Sequence, residues 1–127
     1  MKEDHFKNCT RLTTVTGLSG LSSITFGVFD GCSALTSVDL NMDGIALPAN
    51  LFSGCSNLDI TIPSTLDIND HRVFQDCSSL TFPQTLTISP STFDGVGFRS
   101  LKGTKVNNVV LSQSVVKLYN ECFSGCT

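Results

Sequence analysis

The chain has 127 residues, a formal net charge of −3 and only 15% charged residues. Its eight Lys and Arg residues are scattered along the sequence without a basic run, which argues against nucleic acid and against an anionic membrane surface as partners. No apolar run is long enough to cross a bilayer, so membrane insertion of this segment is not expected. The charged first residues do not resemble a secretory signal.

Phenylalanine, cysteine and leucine recur in the order Phe-x-x-Cys-x-x-Leu. The first four copies begin at Phe6, Phe29, Phe52 and Phe74, and a copy that stops after its cysteine begins at Phe123. The first four cysteines follow one another at intervals of 22 or 23 residues. Such a period is typical of stacked repeats, in which each unit buries its core only against its neighbours. We therefore expect the phenylalanines to form an internal ladder.

Short apolar alternations follow these cores, as in residues 35–40 and 60–62. A period of two with β-branched residues predicts a short strand with one buried face. In some coils a proline such as Pro63 then ends the strand, and a second extended stretch follows, as in 66–68 and 115–118. No segment has sustained helical periodicity, so at most single helical or 3₁₀ turns are expected.

The period breaks in the second half of the chain. The spacing from Cys77 to Phe93 is short, so the fourth coil is compressed. The spacing from Phe93 to Phe123 is long, so the fifth coil is stretched, and Gly103 stands in the place of its cysteine. These spacings predict a protruding loop over about residues 94–102. Loops on rigid frameworks often bind partners, but a tolerated insertion is the favoured interpretation.

Six cysteines leave disulfides open as an interpretation. Stacking argues against bridges, because equivalent Cβ atoms would lie about 4.8 Å apart whereas a disulfide needs about 3.8 Å. We favour small buried thiols whose S–H groups contact backbone carbonyls at a turn for Cys9, Cys32, Cys55 and Cys77. Cys122 lies off this ladder and would approach Cys126 if residues 121–126 formed a helical turn. A plain buried thiol remains the favoured state of Cys122.

Candidate catalytic and metal-binding motifs are weak. His5 and His71 lie in polar segments beside carboxylates and are interpreted as solvated surface residues. Residues 67–70 are similar to the opening of a calcium loop but lack its glycine and distal glutamate. Residues 95–97 are too short for a phosphate loop, and no cysteine pair has zinc spacing. We expect no enzyme activity, no cofactor and no metal.

Strand residues opposite the buried ones are expected to share one outward face that is polar, mildly acidic and rich in hydroxyl groups. Short side chains of this kind bind a partner at a small cost in side-chain entropy. Plain soluble strand surface is an equally open interpretation. The candidate partner-binding residues are Thr14, Thr16, Ser37, Asp39, Asp59, Thr61, Asn108 and Val110.

The repeat resembles the BspA-type leucine-rich repeat family of bacterial and protist surface proteins. Residues 55–58 and 60–63, followed by Leu66, Ile68 and Phe74, follow the family pattern closely. The resemblance implies a right-handed superhelical solenoid, β-rich, with short parallel strands on one face, turns and few short helical or 3₁₀ segments. It also implies a single array over residues 1–127 with about five coils and an irregular coil near 94–105.

Three functions remain open after this resemblance. The leading one is a binding or adhesion module at the cell surface or in a secreted protein, with an unidentified protein or glycan as partner. The others are a structural spacer or stalk and an intracellular scaffold. The sequence starts and stops close to repeat cores without a recognisable cap. This pattern predicts a fragment of a longer array, or self-association through uncapped ends.

Overall fold

A computed structural model describes residues 4–127, which coil into a parallel β-solenoid of about five turns without a helix. The solenoid predicted from the repeat is confirmed, and the expected helical turns are hydrogen-bonded turns. The eight strands are β1 Thr14–Val15, β2 Ser37–Val38, β3 Ala46–Leu47, β4 Thr65–Ile68, β5 Thr85–Ile88, β6 Gly95–Val96, β7 Asn108–Leu111 and β8 Lys117–Leu118.

Every strand pair is parallel, and the strands are divided among three sheets. The first sheet contains β1 and β2, the second runs β3-β4-β5-β7, and the third contains β6 and β8. Each of the five pairs joins strands of consecutive coils. The strands therefore lie in more than one sheet around the coil, in line with the strand and the second extended stretch that the sequence pattern predicts.

The phenylalanine ladder is confirmed. Phe6, Phe29, Phe52 and Phe74 stack in order, with ring centroids 5.7, 5.6 and 5.8 Å apart and ring planes within 19° of one another. The last three of these rings are fully buried. A centroid distance in this range is that of an offset stack, which adds to the burial of apolar surface. The ladder is therefore the centre of the core.

Backbone hydrogen bonds fix the register at each phenylalanine turn. The N–H of Phe29 donates to the carbonyl of Leu51 at 3.1 Å, and the residues two before and two after Phe29 donate to the next coil in the same way. These flanking residues have left-handed backbone, which glycine, asparagine and aspartate adopt most easily. Within residues 4–127 the two left-handed columns are Asp4, Gly27, Asn50, Arg72, Arg99 and Glu121, and Asn8, Gly31, Gly54, Asp76, Gly103 and Gly125.

This register corrects the alignment of the fifth copy. The Phe74 N–H donates to the Ser100 carbonyl, and the Leu101 N–H donates to the Cys122 carbonyl. Leu101 therefore occupies the position that phenylalanine has in the other copies. Gly103 is then a left-handed residue, and Thr104 stands where the cysteine is expected. The prediction that Gly103 replaces the cysteine is wrong because this core has a leucine in place of its aromatic residue.

Residues 94–102 do not form the protruding loop that the spacing predicts. Gly95 and Val96 are the strand β6, paired with β8, and Val96 is fully buried. Gly95 lies so close to the Lys117 carbonyl oxygen that a Cβ atom there would collide with it. The glycine permits this close approach, and the additional residues of the coil pack as a third short sheet.

Candidate functional site

Part of the predicted partner-binding face lies along the first sheet. Thr14 and Ser37 are directly opposite each other in the β1–β2 pair. The row continues into the third coil, where the Asp59 N–H donates to the Thr36 carbonyl at 3.0 Å. Asp59 and Thr61 are exposed and line a shallow groove of about 460 Å³. These four residues therefore share one side of the solenoid.

Asp39 has a structural contact that the sequence pattern does not show. Its carboxylate accepts hydrogen bonds from the backbone N–H groups of Gly17 and Leu18, each at 2.8 Å. The N–H groups of Leu18 and Gly17 hold the pKa of Asp39 below its ordinary value. Asp39 thus fastens the loop that follows β1, and exposed Thr16 lies directly before that loop.

Asn108 and Val110 belong to a different sheet from Thr14 and Ser37. They lie in β7, opposite Thr85 and Thr87 of β5. The prediction of one face shared by all eight candidates is wrong on this point. Its physical reason is that β7 pairs with the second extended stretch of the preceding coil, not with the stretch that follows the Cys-x-x-Leu core.

The second sheet instead presents a polar face of its own. On its inner side Leu66, Ile68, Leu86 and Ile88 are fully buried. Its outer side, here called the threonine face, contains residues that stand next to one another through the pairs of the sheet. These residues are Ala46, Thr65, Asp67, Thr85, Thr87, Asn108 and Val110.

Sequence reasoning missed Thr65, Thr85 and Thr87 as members of this face. The signal was present in the near-identical alternations Thr-Leu-Asp-Ile and Thr-Leu-Thr-Ile at residues 65–68 and 85–88. A period of two places the leucine and isoleucine inside and the threonines outside. The alternation therefore indicates that these two strands, rather than the strands that follow the cores, present threonine side chains outward.

An aromatic cluster lies at the additional residues of the fourth coil. It consists of His71, Phe93, Phe98 and Tyr119, all half-buried. The His71 ring meets Tyr119 at 5.0 Å and Phe93 at 5.4 Å between centroids, and Phe93 stacks on Tyr119 at 5.3 Å. Nδ1 of His71 accepts a hydrogen bond from the Phe98 N–H at 2.7 Å. His71 is therefore a packed residue, and its interpretation as a solvated histidine is wrong.

Basic residues that are distant in sequence meet at this aromatic cluster. The guanidinium groups of Arg72 and Arg99 lie 5.2 and 4.7 Å from the centroid of the Phe98 ring. The Lys117 ammonium lies 5.0 Å from the centroid of Tyr119. Cation–π contacts of this kind are favourable. These cations are thus far apart in the sequence but close together in the structure.

Glu121 offsets part of this positive charge. Its carboxylate accepts a hydrogen bond from the guanidinium of Arg99 and lies 3.8 Å from the Lys102 ammonium. The hydrogen bond from Arg99 is the main reason why the pKa of Glu121 is lowered. Arg72 and Lys117 form no ion pair within residues 4–127, so they are the cations of the cluster that face solvent without a carboxylate.

The cysteine ladder consists of thiols, as predicted. The S–H groups of Cys32, Cys55 and Cys77 donate to the phenylalanine carbonyl of the preceding coil at 3.0 to 3.1 Å. All six cysteines are free, including the buried Cys122. Burial raises the pKa of Cys55 to about 12 and that of Cys77 well above its ordinary value. These thiols are packing groups rather than nucleophiles.

Among residues 4–127, no group of three or more His, Cys, Asp or Glu side chains is arranged to hold a metal ion. Over the same residues, no helix has the length and apolar character needed to cross a membrane.

Comparison with known proteins agrees with this architecture. The family model for the BspA type leucine rich repeat region matches residues 1–127 in 6 copies. No curated protein and no solved structure matches the chain. Repeats of this type generally mediate protein interactions, are typically non-catalytic and commonly occur in surface or secreted proteins. The chain belongs to the BspA-type leucine-rich repeat family.

Proposed function

We propose that this chain is a binding or adhesion module of a cell-surface or secreted protein. Its partner is a protein or glycan that contacts the threonine face. The observation that carries the proposal is the parallel pairing of β3, β4, β5 and β7, which sets short outward side chains in adjacent rows. The general occurrence of this repeat family in protein interactions and at surfaces supports it.

The chemistry of the threonine face suits a broad contact. Threonine hydroxyls donate and accept hydrogen bonds and lose little rotamer freedom when a partner covers them. Val110 is 50% exposed, which adds apolar area at the β7 side of the face. At the other side, Ala46 and Asp67 line a groove of about 560 Å³. The face thus combines hydroxyl groups, one carboxylate and apolar surface, as protein interfaces do.

A second candidate is an intracellular scaffold. It is favoured by the six free cysteines, because unpaired thiols are usual in reducing compartments and disulfides are usual outside them. The two candidates share the binding face and differ in location. A signal or surface anchor in the full-length gene would favour the adhesion module.

The binding proposal is tested on the purified chain. Extracellular matrix proteins, a glycan array and a peptide library serve as probes, and any hit is measured again with variants. Thr87→Arg and Val110→Arg should each weaken the hit at least tenfold, because they place a long charged side chain in the middle and at the β7 side of the threonine face, respectively. Ser78→Arg, in an exposed turn, is the matched control and should leave binding unchanged.

Ser37→Arg tests the alternative face on the first sheet. Loss of binding in Ser37→Arg with full binding in Thr87→Arg and Val110→Arg would overturn the assignment to the threonine face. Absence of any hit from all three classes of probe would favour the spacer function.

A further inference from the structure

Side chains of the preceding coil accept the backbone N–H groups of residues 91–98, and the Phe98 carbonyl in turn accepts the Arg72 N–H at 2.8 Å. Oδ1 of Asp67 accepts from the Ser91 N–H at 2.7 Å. Oδ1 of Asn69 accepts from the N–H groups of Thr92 and Phe93 at 2.8 and 3.2 Å. The third acceptor is Nδ1 of His71, which takes the Phe98 N–H at 2.7 Å. These acceptors alternate along one stretch of the third coil, at positions 67, 69 and 71.

The same segment is held on its other side by the fifth coil. Its strand β6 pairs with β8, and the Val116 N–H donates to the Asp94 carbonyl at 2.8 Å. The Tyr119 hydroxyl donates to the Asp94 carboxylate at 3.0 Å. Release at the His71 side would therefore free the Phe98 N–H at one edge of residues 91–98, while the β8 side and the bond from the Arg72 N–H to the Phe98 carbonyl keep the segment in place.

His71 differs from the other two acceptors because its ring nitrogen can no longer accept a hydrogen bond once the ring takes up a proton. A neutral imidazole accepts at Nδ1 when its proton is on Nε2, whereas a protonated ring is a donor at both nitrogens. Asn69 does not titrate, and histidine is the side chain whose charge ordinarily changes between about pH 5 and 8. Two N–H groups cannot face each other at 2.7 Å, so the protonated ring and the Phe98 N–H must separate.

We infer that His71 is a proton-operated latch: its protonation at mildly acidic pH releases the Phe98 N–H and opens the edge of the aromatic cluster formed by residues 91–98. The inference concerns the fold itself and does not depend on which partner the threonine face binds. A module with this latch exposes Phe93, Phe98 and Tyr119 more fully in acidic surroundings than at neutral pH.

Charged groups of both signs lie on the elements that pack against the His71 ring. Its own element contributes Asp70, whose carboxylate accepts the His71 backbone N–H at 2.8 Å, and Arg72. The segment opposite contributes Asp94 and Arg99, and the fifth coil contributes Lys117, Glu121 and the Tyr119 hydroxyl. Because carboxylates and cations are both present, neither sign dominates. The hydrogen bond to Phe98 is the contact that depends directly on the proton.

Amide hydrogen exchange of the intact chain at pH 7.5 and pH 5.5, corrected for the intrinsic pH dependence of exchange, tests the latch. Opening at Phe98 should increase severalfold at the lower pH, because a protonated ring cannot accept the Phe98 N–H. Amides of β4 and β5 should not change. Equal corrected protection of Phe98 at both pH values would overturn the inference.

His71→Asn is the decisive variant, because an asparagine Oδ1 can replace Nδ1 as acceptor and does not titrate. Its Phe98 protection should be the same at both pH values, whereas His5→Asn should keep the response of the native chain. A response that persists in His71→Asn would overturn the latch.

Ring ¹⁵N shifts of the native protein keep the test valid if His71→Asn folds poorly. They should show unprotonated Nδ1 at pH 7.5 and a titration of the His71 ring with the same midpoint as the Phe98 amide. Different midpoints for the ring and the amide would contradict the proposal.

Discussion

The thiol of Cys55 donates to the carbonyl oxygen of Phe29 in the preceding coil at 3.1 Å. The same oxygen accepts the N–H of Cys32 within its own turn, also at 3.1 Å. One carbonyl thus closes a turn and receives the next coil. Thr104 departs from this pattern, because its hydroxyl donates to Leu101 within its own turn at 2.8 Å. Cysteine suits the position because it is small, apolar enough to be buried and still a weak donor.

Truncation in the middle of the phenylalanine ladder should cost more than truncation at its edge. Phe52 is fully buried between two rings, whereas Phe6 is half-buried and has one ladder neighbour. Phe52→Ala should lower the free energy of unfolding by about 3–5 kcal/mol, and Phe6→Ala by clearly less. Urea titrations followed by circular dichroism measure both variants. Equal midpoints would contradict a ladder stabilised from both sides.

The buried ladder thiols of Cys32, Cys55 and Cys77 should be unreactive until the chain unfolds. Burial raises the pKa of Cys55 to about 12, so almost no thiolate forms at pH 8. Iodoacetamide at that pH should modify half-buried Cys9 and Cys126 first, and Cys32, Cys55 and Cys77 only in denaturant. Peptide mass spectrometry counts the labelled sites. Fewer than four free thiols in denaturant would contradict the cysteine ladder.

The left-handed backbone at Gly54 should be worth a measurable part of the stability. Its φ is +76°, and the nearest atom to an added Cβ lies 3.6 Å away, so space is not the obstacle. Gly54→Ala should therefore lower the free energy of unfolding by about 1–2 kcal/mol through backbone strain alone. Gly20→Ala is the matched control, because that site is open and its φ is not positive. Thermal unfolding should show a larger loss of stability in Gly54→Ala than in Gly20→Ala. Equal losses of stability would rule out backbone strain as the cause.

Acid should loosen the loop that Asp39 fastens. Hydrogen bonds from Leu18 and Gly17 lower the pKa of Asp39 in the folded chain. The stability that Asp39 contributes is therefore complete above its unfolded pKa of about 3.9. That stability is lost as the pH falls through the folded pKa. Asp39→Asn retains only one acceptor oxygen and should raise amide exchange at Gly17 and Leu18 already at neutral pH. Exposed Asp59→Asn is the control and should leave both amides protected. Unchanged amide exchange at Gly17 and Leu18 in Asp39→Asn would show that the loop does not depend on the Asp39 carboxylate.

Contacts that every coil repeats could be predicted from the sequence. The phenylalanine ladder and the cysteine thiols follow from one spacing, since the same residue types meet the same neighbours at each step. The alternation at residues 65–68 and 85–88 likewise indicates which side chains are buried. Predictions failed where the period fails, because Leu101 and Thr104 replace the residues that mark a core.

The aromatic cluster could not be found in this way. His71, Phe93 and Tyr119 come from three successive coils. Their contacts depend on where the additional residues of the fourth coil fold back, and that path is set by two buried glycines at 95 and 97 rather than by periodicity. The threonine face was missed for a related reason, since sheet membership depends on pairing between coils.

Each phenylalanine turn has N–H donors on the side of the next coil and carbonyl acceptors on the side of the previous one, with the same three positions used at every step. A turn copied into the middle of the array would meet matching donors below and matching acceptors above. The differences in coil length are absorbed outside these turns. The solenoid can therefore be lengthened or shortened by whole coils with the same backbone contacts. Gene duplication within the repeat can thus change the length of the molecule while each coil keeps its lateral surface.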